Sequence, residues 1–207
     1  MQILRYPLGD LSANCYIIIN KDRKAIAIDV GGTPSFLQLE ALKHGFEITD
    51  ILLTHSHFDH MGGVSYFEKR GAKVYISSDD LVGVQSGEYN LSTMFGGSVE
   101  PFNVYKTLQG GETLSINGFT IEVIKTPGHT KGGVTYKIEN KLFTGDTLFS
   151  GSFGRVDFIG GNLSELITSI KKLFKYKGCT VYSGHGEETT IDKEIELNPI
   201  KYYYDNH

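Results

Sequence analysis

The chain is short of several things at once, and each shortage closes off a class of protein. Cysteine is scarce: Cys15 and Cys179 are the two among 207 residues, each inside an apolar, strand-like run. A disulfide framework needs more, so two buried free thiols in a reducing, cytoplasmic compartment are expected. No apolar stretch approaches the ~20 residues that span a bilayer. The opening Met1-Gln2-Ile3-Leu4-Arg5-Tyr6-Pro7 lacks the basic start and apolar core of a signal peptide. Positive charge is in deficit, with 20 Lys and Arg against 24 Asp and Glu and a net charge of −4. That balance supplies no footprint for nucleic acid and no polybasic surface for anionic lipid. The partner that remains is a small-molecule substrate, and the oligomeric state is left open. There is no linker, low-complexity tract or internal repeat, so residues 1–207 read as one domain, large enough to bury a core without staples.

Periodicity gives strands alternating with helices. Residues 14–20 and 24–30 read as a β-hairpin turning at Lys21-Asp22-Arg23. Ser35 is placed to cap a helix running to about His44, with Phe36, Leu39 and Leu42 on one side and Gly45 as its stop. The unbroken run Ile48 to Thr54 suits a strand buried on both faces. A helix is expected from about Asp59 to Lys69, closed by Gly71, then a strand from Lys73 to Ile76. Residues 80–104 show no firm period and read as a long loop with a short helix, the kind of segment that forms binding lids. Strands follow over 120–125, 133–138 and 141–144. Ser164 is placed to cap an amphipathic helix in which Leu163, Leu166, Ile167, Ile170, Leu173 and Phe174 recur at helical spacing. A strand over Cys179 to Tyr182 and a helix over Glu188 to Leu197, with Pro199 beyond, complete the pattern. It implies an α/β fold with helices on the outer faces of packed sheets.

What the chain has in plenty is glycine, at 25 residues, and histidine in one place. Thr54-His55-Ser56-His57-Phe58-Asp59-His60 sets three imidazoles and a carboxylate close together. Both types ligate metals, and imidazole suits zinc and iron. His55 and His57, two apart past a strand, are expected to point the same way. Asp59 and His60 fall on the turn into a helix and face a second point, so one segment supplies half of a two-metal site. The other pieces each lie beside glycine just past a strand: Thr126-Pro127-Gly128-His129-Thr130, Gly145-Asp146 and Gly184-His185-Gly186. Loops on a rigid scaffold are where sites are built. Two histidines stand apart, His44 at a helix end and His207 at the C-terminus. Seven hard ligands without cysteine oppose a closed structural zinc site.

The pattern His55-x-His57-x-Asp59-His60, then His129, Asp146 and His185, resembles the metallo-β-lactamase superfamily, and the likeness runs from Asn14-Cys15-Tyr16 and Asp29 through His185. The resemblance implies a four-layer αββα sandwich with metals at one edge. It implies that His55, His57 and His129 hold a first metal, that Asp59, His60 and His185 hold a second, and that Asp146 bridges them. Asp29 would orient a ligand from behind. Two divalent ions follow, zinc first, with iron or manganese as alternatives. The segments 54–63 and 145–149, with Gly154-Arg155-Val156-Asp157, look like the short glyoxalase II-like branch. The expected activity is metal-dependent hydrolysis of thioesters such as S-lactoylglutathione by a hydroxide bridging the metals, with Asp59 holding or receiving a proton. Arg155 is expected to bind a substrate carboxylate, with an ion pair to Asp157 as the alternative. Tyr89, Phe95 and Phe153 are candidates for the pocket wall. Two other activities share the pattern: an iron-dependent persulfide dioxygenase using His55, His129 and Asp146, and a phosphodiesterase.

Overall fold

Alternation along one strand sets the layering. In the strand Ala13–Ile19, Cys15, Ile17 and Ile19 face one apolar cluster while Tyr16 and Ile18 face another, so the strand is covered on both sides. The computed structural model describes residues 1–204; His207 lies outside them. The first sheet contains β1 (Gln2–Leu8), β2 (Ala13–Ile19), β3 (Lys24–Ile28), β4 (Glu47–Leu52), β5 (Lys73–Ser77) and β6 (Lys106–Leu108), in that spatial order. Its connections carry the helices α1 (Pro34–His44), α2 (Phe58–Met61), α3 (Val64–Glu68) and α4 (Ser92–Phe95). The second sheet contains β7 (Thr113–Ile116), β8 (Phe119–Lys125), β9 (Val134–Ile138), β10 (Lys141–Gly145), β13 (Thr180–Ser183) and β14 (Thr189–Thr190). A small ribbon of β11 (Leu148–Phe149) and β12 (Ser152–Phe153) and the helices α5 (Leu163–Leu173) and α6 (Ile191–Leu197) flank it.

Three apolar clusters separate four layers. One lies between the first sheet and α1 to α3, with Leu37, Ala41, Val64 and Phe67 against Ile17, Ile51 and Val74. The second fills the space between the sheets, where Tyr16, Ile26, Ile28 and Leu52 meet Val123, Val134, Tyr136 and Phe143. The third joins α5 and α6 to the second sheet through Leu166, Ile170, Ile191, Leu142 and Val181. This is the expected αββα sandwich. Cys15 and Cys179 are both free and buried. Among the described residues no helix is long and apolar enough to cross a membrane.

The hairpin forms as expected, β2 pairing antiparallel with β3. Several local expectations need correction. Helix α1 begins after Thr33, whose backbone is left-handed (φ 48°) and whose side chain makes no cap bond; Ser35 lies within the helix behind Pro34. Phe36, Leu39 and Leu42 are 44%, 64% and 70% exposed, and the buried face is Leu37 and Ala41. Small Ala41 lets the helix lie close on the sheet, which the apolar stripe alone did not reveal. The helix expected over 59–69 is two helices broken at Gly62-Gly63, where Gly63 N donates to Val30 O. Helix α5 is capped by Asn162, whose side chain accepts from Glu165 N, and not by Ser164. The last helix starts at Ile191 instead of Glu188, after Thr190 caps it. Strands β1, β6, β7 and β14 had no counterpart in the sequence reading.

Candidate metal centre

The seven predicted ligands come from both sheets. His55 and His57 follow β4, while Asp59 and His60 sit on α2. His129 lies between β8 and β9, Asp146 follows β10, and His185 follows β13. Because β4 ends at Leu52, His55 and His57 stand on a loop and not on a strand pleat. Hydrogen bonds hold that loop in place. Thr54 N donates to Asp29 Oδ1 at 2.8 Å, Ser56 N to Asp80 Oδ2 at 3.0 Å and Phe58 N to Asn90 O at 2.9 Å.

The seven side chains converge on one rim. Ligand atoms of His55, His57 and His129 lie within 4.8 Å of one another, and so do those of Asp59, His60 and His185. Within the first cluster His129 Nε2 is 2.9 Å from His57 Nδ1. Within the second, His185 Nε2 is 3.3 Å from Asp59 Oδ2, and His60 Nε2 is 3.6 Å from the same oxygen. Asp146 stands between the clusters: Oδ2 is 3.5 Å from His129 Nε2 and 3.6 Å from His185 Nε2, and Oδ1 is 3.4 Å from His60 Nε2.

Partners behind the rings decide which nitrogens face the centre. His60 Nδ1 donates to Asp29 Oδ2 at 2.9 Å, which turns its Nε2 inward. His129 Nδ1 donates to the Arg155 carbonyl at 2.7 Å. Thr54 Oγ1 donates its single proton to Asp29 Oδ2 at 2.7 Å, so at 3.1 Å it can only accept from His55 Nδ1. His55 therefore presents Nε2 as a lone pair. That atom and Asp146 Oδ1 are buried without a hydrogen-bond partner, while His57 faces His129 through Nδ1. Buried polar atoms are almost always paired, so orphaned ones in a His and Asp cluster suit cations.

The electrostatics differ between the clusters. Burial and the neighbouring imidazoles push His55 and His57 well below the usual histidine pKa, so both are neutral donors. Burial also opposes charge on His60, but the carboxylates of Asp59, Asp146 and Asp29 outweigh it and push its pKa up to about 10. Burial works against Asp59 as well, yet His60 and His185 hold it below the usual carboxylate range.

Two glycines make room for Asp146. A Cβ at Gly184 would stand 2.1 Å from Asp146 Oδ1 and 2.8 Å from His60 Cε1. One at Gly154 would stand 1.8 Å from the Asp146 carbonyl oxygen. Any other residue at Gly184 would displace the carboxylate, and any other at Gly154 would displace the backbone that carries it. Asn14 and Tyr16 secure the neighbouring turn: Asn14 Nδ2 donates to the Ser183 and Gly186 carbonyls, and Tyr16 Oη donates to Ser183 O.

Sequence reasoning missed Asp80. It is fully buried, and burial raises its pKa against the bonds it accepts. Oδ2 accepts from Ser56 N and from Thr130 Oγ1 (2.8 Å), and Oδ1 accepts from Gly132 N (2.7 Å). One carboxylate thus ties the His55–His57 loop to the His129 loop. Its neighbour Asp79 instead faces Lys125 at 2.6 Å. Nothing in the sequence distinguishes the two aspartates.

A cavity of about 420 Å³ opens over the centre, lined by Phe58, Phe95, Phe149, Phe153, Phe158 and Arg155 among others. Phe95 and Phe153 are where the sequence reading put them; Tyr89 does not line it. Arg155 stands at this cavity but donates from Nε and Nη2 to both oxygens of Asp157, at 2.7 and 2.6 Å. The ion pair considered for Arg155 is the arrangement present.

The model of the metallo-beta-lactamase superfamily matches residues 8–185. The chain belongs to that superfamily. The hydroxyacylglutathione hydrolase GloC of Haemophilus influenzae is 32% identical, over 97% of this chain and 98% of the relative. Among solved structures, the BLEG-1 B3 metallo-beta-lactamase superposes with a TM-score of 0.88 at 34% identity, covering 96% of this chain and 98% of that one. TTHA1623 in a di-iron-bound form gives 0.85 at 31% identity, covering 95% and 98%. The superfamily member described here is a metal-dependent hydrolase, while these names do not agree on a substrate.

Proposed function

We propose that this enzyme hydrolyses thioesters at a centre of two divalent cations, zinc first, with iron or manganese as alternatives. In this reading His55, His57 and His129 hold one cation, Asp59, His60 and His185 hold the other, and Asp146 joins both. The observation that carries it is the convergence of these seven side chains with buried, unpartnered donor atoms among them. The likeness to a hydroxyacylglutathione hydrolase supports the thioester.

Bound cations supply Lewis acidity and a water nucleophile activated at neutral pH. The chain's own residues do the rest. Asp29, Thr54 and the Arg155 carbonyl fix the imidazoles in the tautomers that face inward. In this reading Asp59, ionised throughout the neutral range, helps hold or receive the proton of the attacking water. The carbonyl carbon gains a C–O bond as its C–S bond breaks. Water supplies the acid's new oxygen, and the departing thiol leaves with a proton. Two unpaired buried thiols fit a reducing, cytoplasmic setting.

The test is cation content of the purified protein, with turnover of S-lactoylglutathione and of acyl-coenzyme A. Two cations per chain with thioester cleavage are expected. Bound metal without cleavage removes the thioester reading. The second reading, a persulfide dioxygenase using one iron on His55, His129 and Asp146, draws support from the likeness to ETHE1 of Myxococcus xanthus, with a TM-score of 0.79 at 26% identity. His57 beside His129 does not decide between the readings, because a side chain can stand at such a site without binding the metal. Iron as the sole metal, with oxygen uptake on glutathione persulfide, would favour the dioxygenase. A phosphodiesterase acting on long nucleic acid is disfavoured by the net charge of −4, which supplies no basic strip for a phosphate backbone.

A further inference from the structure

The cavity wall is more specific than its chemistry requires. Five phenylalanine rings line it, at positions 58, 95, 149, 153 and 158. Three of them form a connected surface, Phe58 stacking on Phe95 with centroids 6.1 Å apart and Phe95 meeting Phe158 edge-on at 5.8 Å, while Phe149 meets His185 edge-on at 6.1 Å. At the mouth Phe95 is 47% exposed and Leu11, also lining the cavity, 45%. Contiguous apolar surface left in water beside a polar reaction centre marks a ligand-binding wall.

The charged lining is the reverse of what a polyanionic handle needs. Among the described residues, and apart from Asp59, Asp146 and the histidines of the centre, Arg155 is the one charged side chain lining the cavity. One edge of its guanidinium, Nε and Nη2, is engaged by Asp157, and it lies 4.0 Å from the centroid of Phe158. Away from the metal centre, the two carboxylates of a glutathione thioester, or the phosphates of a coenzyme A thioester, would meet no cationic side chain but Arg155 among the described lining residues.

We infer that this cavity selects thioesters bearing an apolar chain or ring next to the scissile bond, in preference to those carried on a polyanionic thiol. The inference rests on the thioester reading above. An apolar group on the acyl side and one on the thiol side offer the same chemistry to the wall, and the two arms of the test separate them.

The zinc-loaded full chain is assayed on acetyl, butanoyl, hexanoyl and octanoyl esters of one neutral thiol, N-acetylcysteamine. It is then assayed on acetyl esters of neutral, alkyl and polyanionic thiols. On one of the two series kcat/KM is expected to rise about fourfold per methylene until the cavity is full, the yield of burying one methylene. S-lactoylglutathione is expected to fall at least tenfold below the best apolar substrate. Phe95→Ala and Phe158→Ala are expected to flatten the rise. Binding of acetic through octanoic acid to the same protein, followed by calorimetry, gives the selectivity without turnover, with affinity expected to grow with chain length. Flat responses in both series with turnover intact, or preference for glutathione or coenzyme A thioesters, overturn the inference and leave the thioester reading standing. Absence of turnover on every thioester removes that reading instead, and the slope of acid binding then decides whether the wall selects apolar groups.

Discussion

The first cluster, His55, His57 and His129, and the second, Asp59, His60 and His185, use similar side chains in different surroundings. The three imidazoles of the first are between 2% and 5% exposed. Asp80 holds their two loops together, and Thr54 and the Arg155 carbonyl fix two of the rings. In the second, His60 is as buried as a side chain can be, but the side chain of His185 is 30% exposed, on a turn held chiefly through backbone carbonyls. The charge pattern differs too: His55 and His57 resist protons, whereas His60 retains one. The lesson is that ligand identity sets what a site can hold, while the layer behind it sets how firmly. The first position is expected to keep its cation at lower free metal than the second.

The change that would erase this contrast altogether is Asp146→Ala, because that carboxylate touches both clusters. Turnover is expected to fall by about a thousandfold or more, with cation content by elemental analysis dropping below two and the far-ultraviolet dichroism unchanged. Full activity would overturn the site assignment.

Gly184→Ala attacks the junction by bulk alone. Its Cβ would force Asp146 and His60 apart. Displacement of about 1 Å at reacting groups costs about a hundredfold, and kcat is the quantity to follow. An unchanged kcat would show that the carboxylate has slack.

Asp80→Asn tests the bracing of the first cluster by removing one of its acceptors. First-cation affinity, measured by chelator competition, is expected to weaken by about 10- to 100-fold, with the second site changed less. Equal weakening at both sites would show that bracing is not local.

The smallest effect concerns protons, measured by denaturant unfolding of protein stripped of cations. His60 has a folded pKa of about 10, raised above the ordinary 6.5. Its contribution is complete below about pH 6.5 and is lost as pH rises through 10. His55 and His57, held neutral by folding, act in the opposite sense and cost stability as pH falls below about 6.5. Stability should therefore decline on both sides of that pH. Restoring the cations should remove the alkaline decline, because binding displaces the His60 proton. A flat profile between pH 7 and 10 would contradict the charge assigned to His60.

Legibility was uneven, for physical reasons. The strands that alternate or run apolar, such as β2 and β4, and the amphipathic α5 announce themselves, because burial of one face or two leaves a period in the residues. Strands β1, β6, β7 and β14 do not: they are short or half exposed, so their neighbours define them more than their composition does. In α1 two stripes competed, and the tight fit of Ala41 on the sheet prevailed over the larger Phe36, Leu39 and Leu42. The site showed a similar division. The ligand types and their spacing were readable in local segments, whereas Asp80, the Arg155 carbonyl and the phenylalanine wall act through contacts between segments far apart in the chain.

Sequence by itself determined the inventory: which side chains can ligate, which segments are strand or helix, and that the layers must be covered on their apolar faces. Only the tertiary structure decided where those ligands meet, which nitrogen each ring presents, and that Arg155 is engaged by Asp157. The reason is that ligand chemistry belongs to single residues, whereas tautomer, exposure and charge depend on neighbours that the chain brings together only by folding.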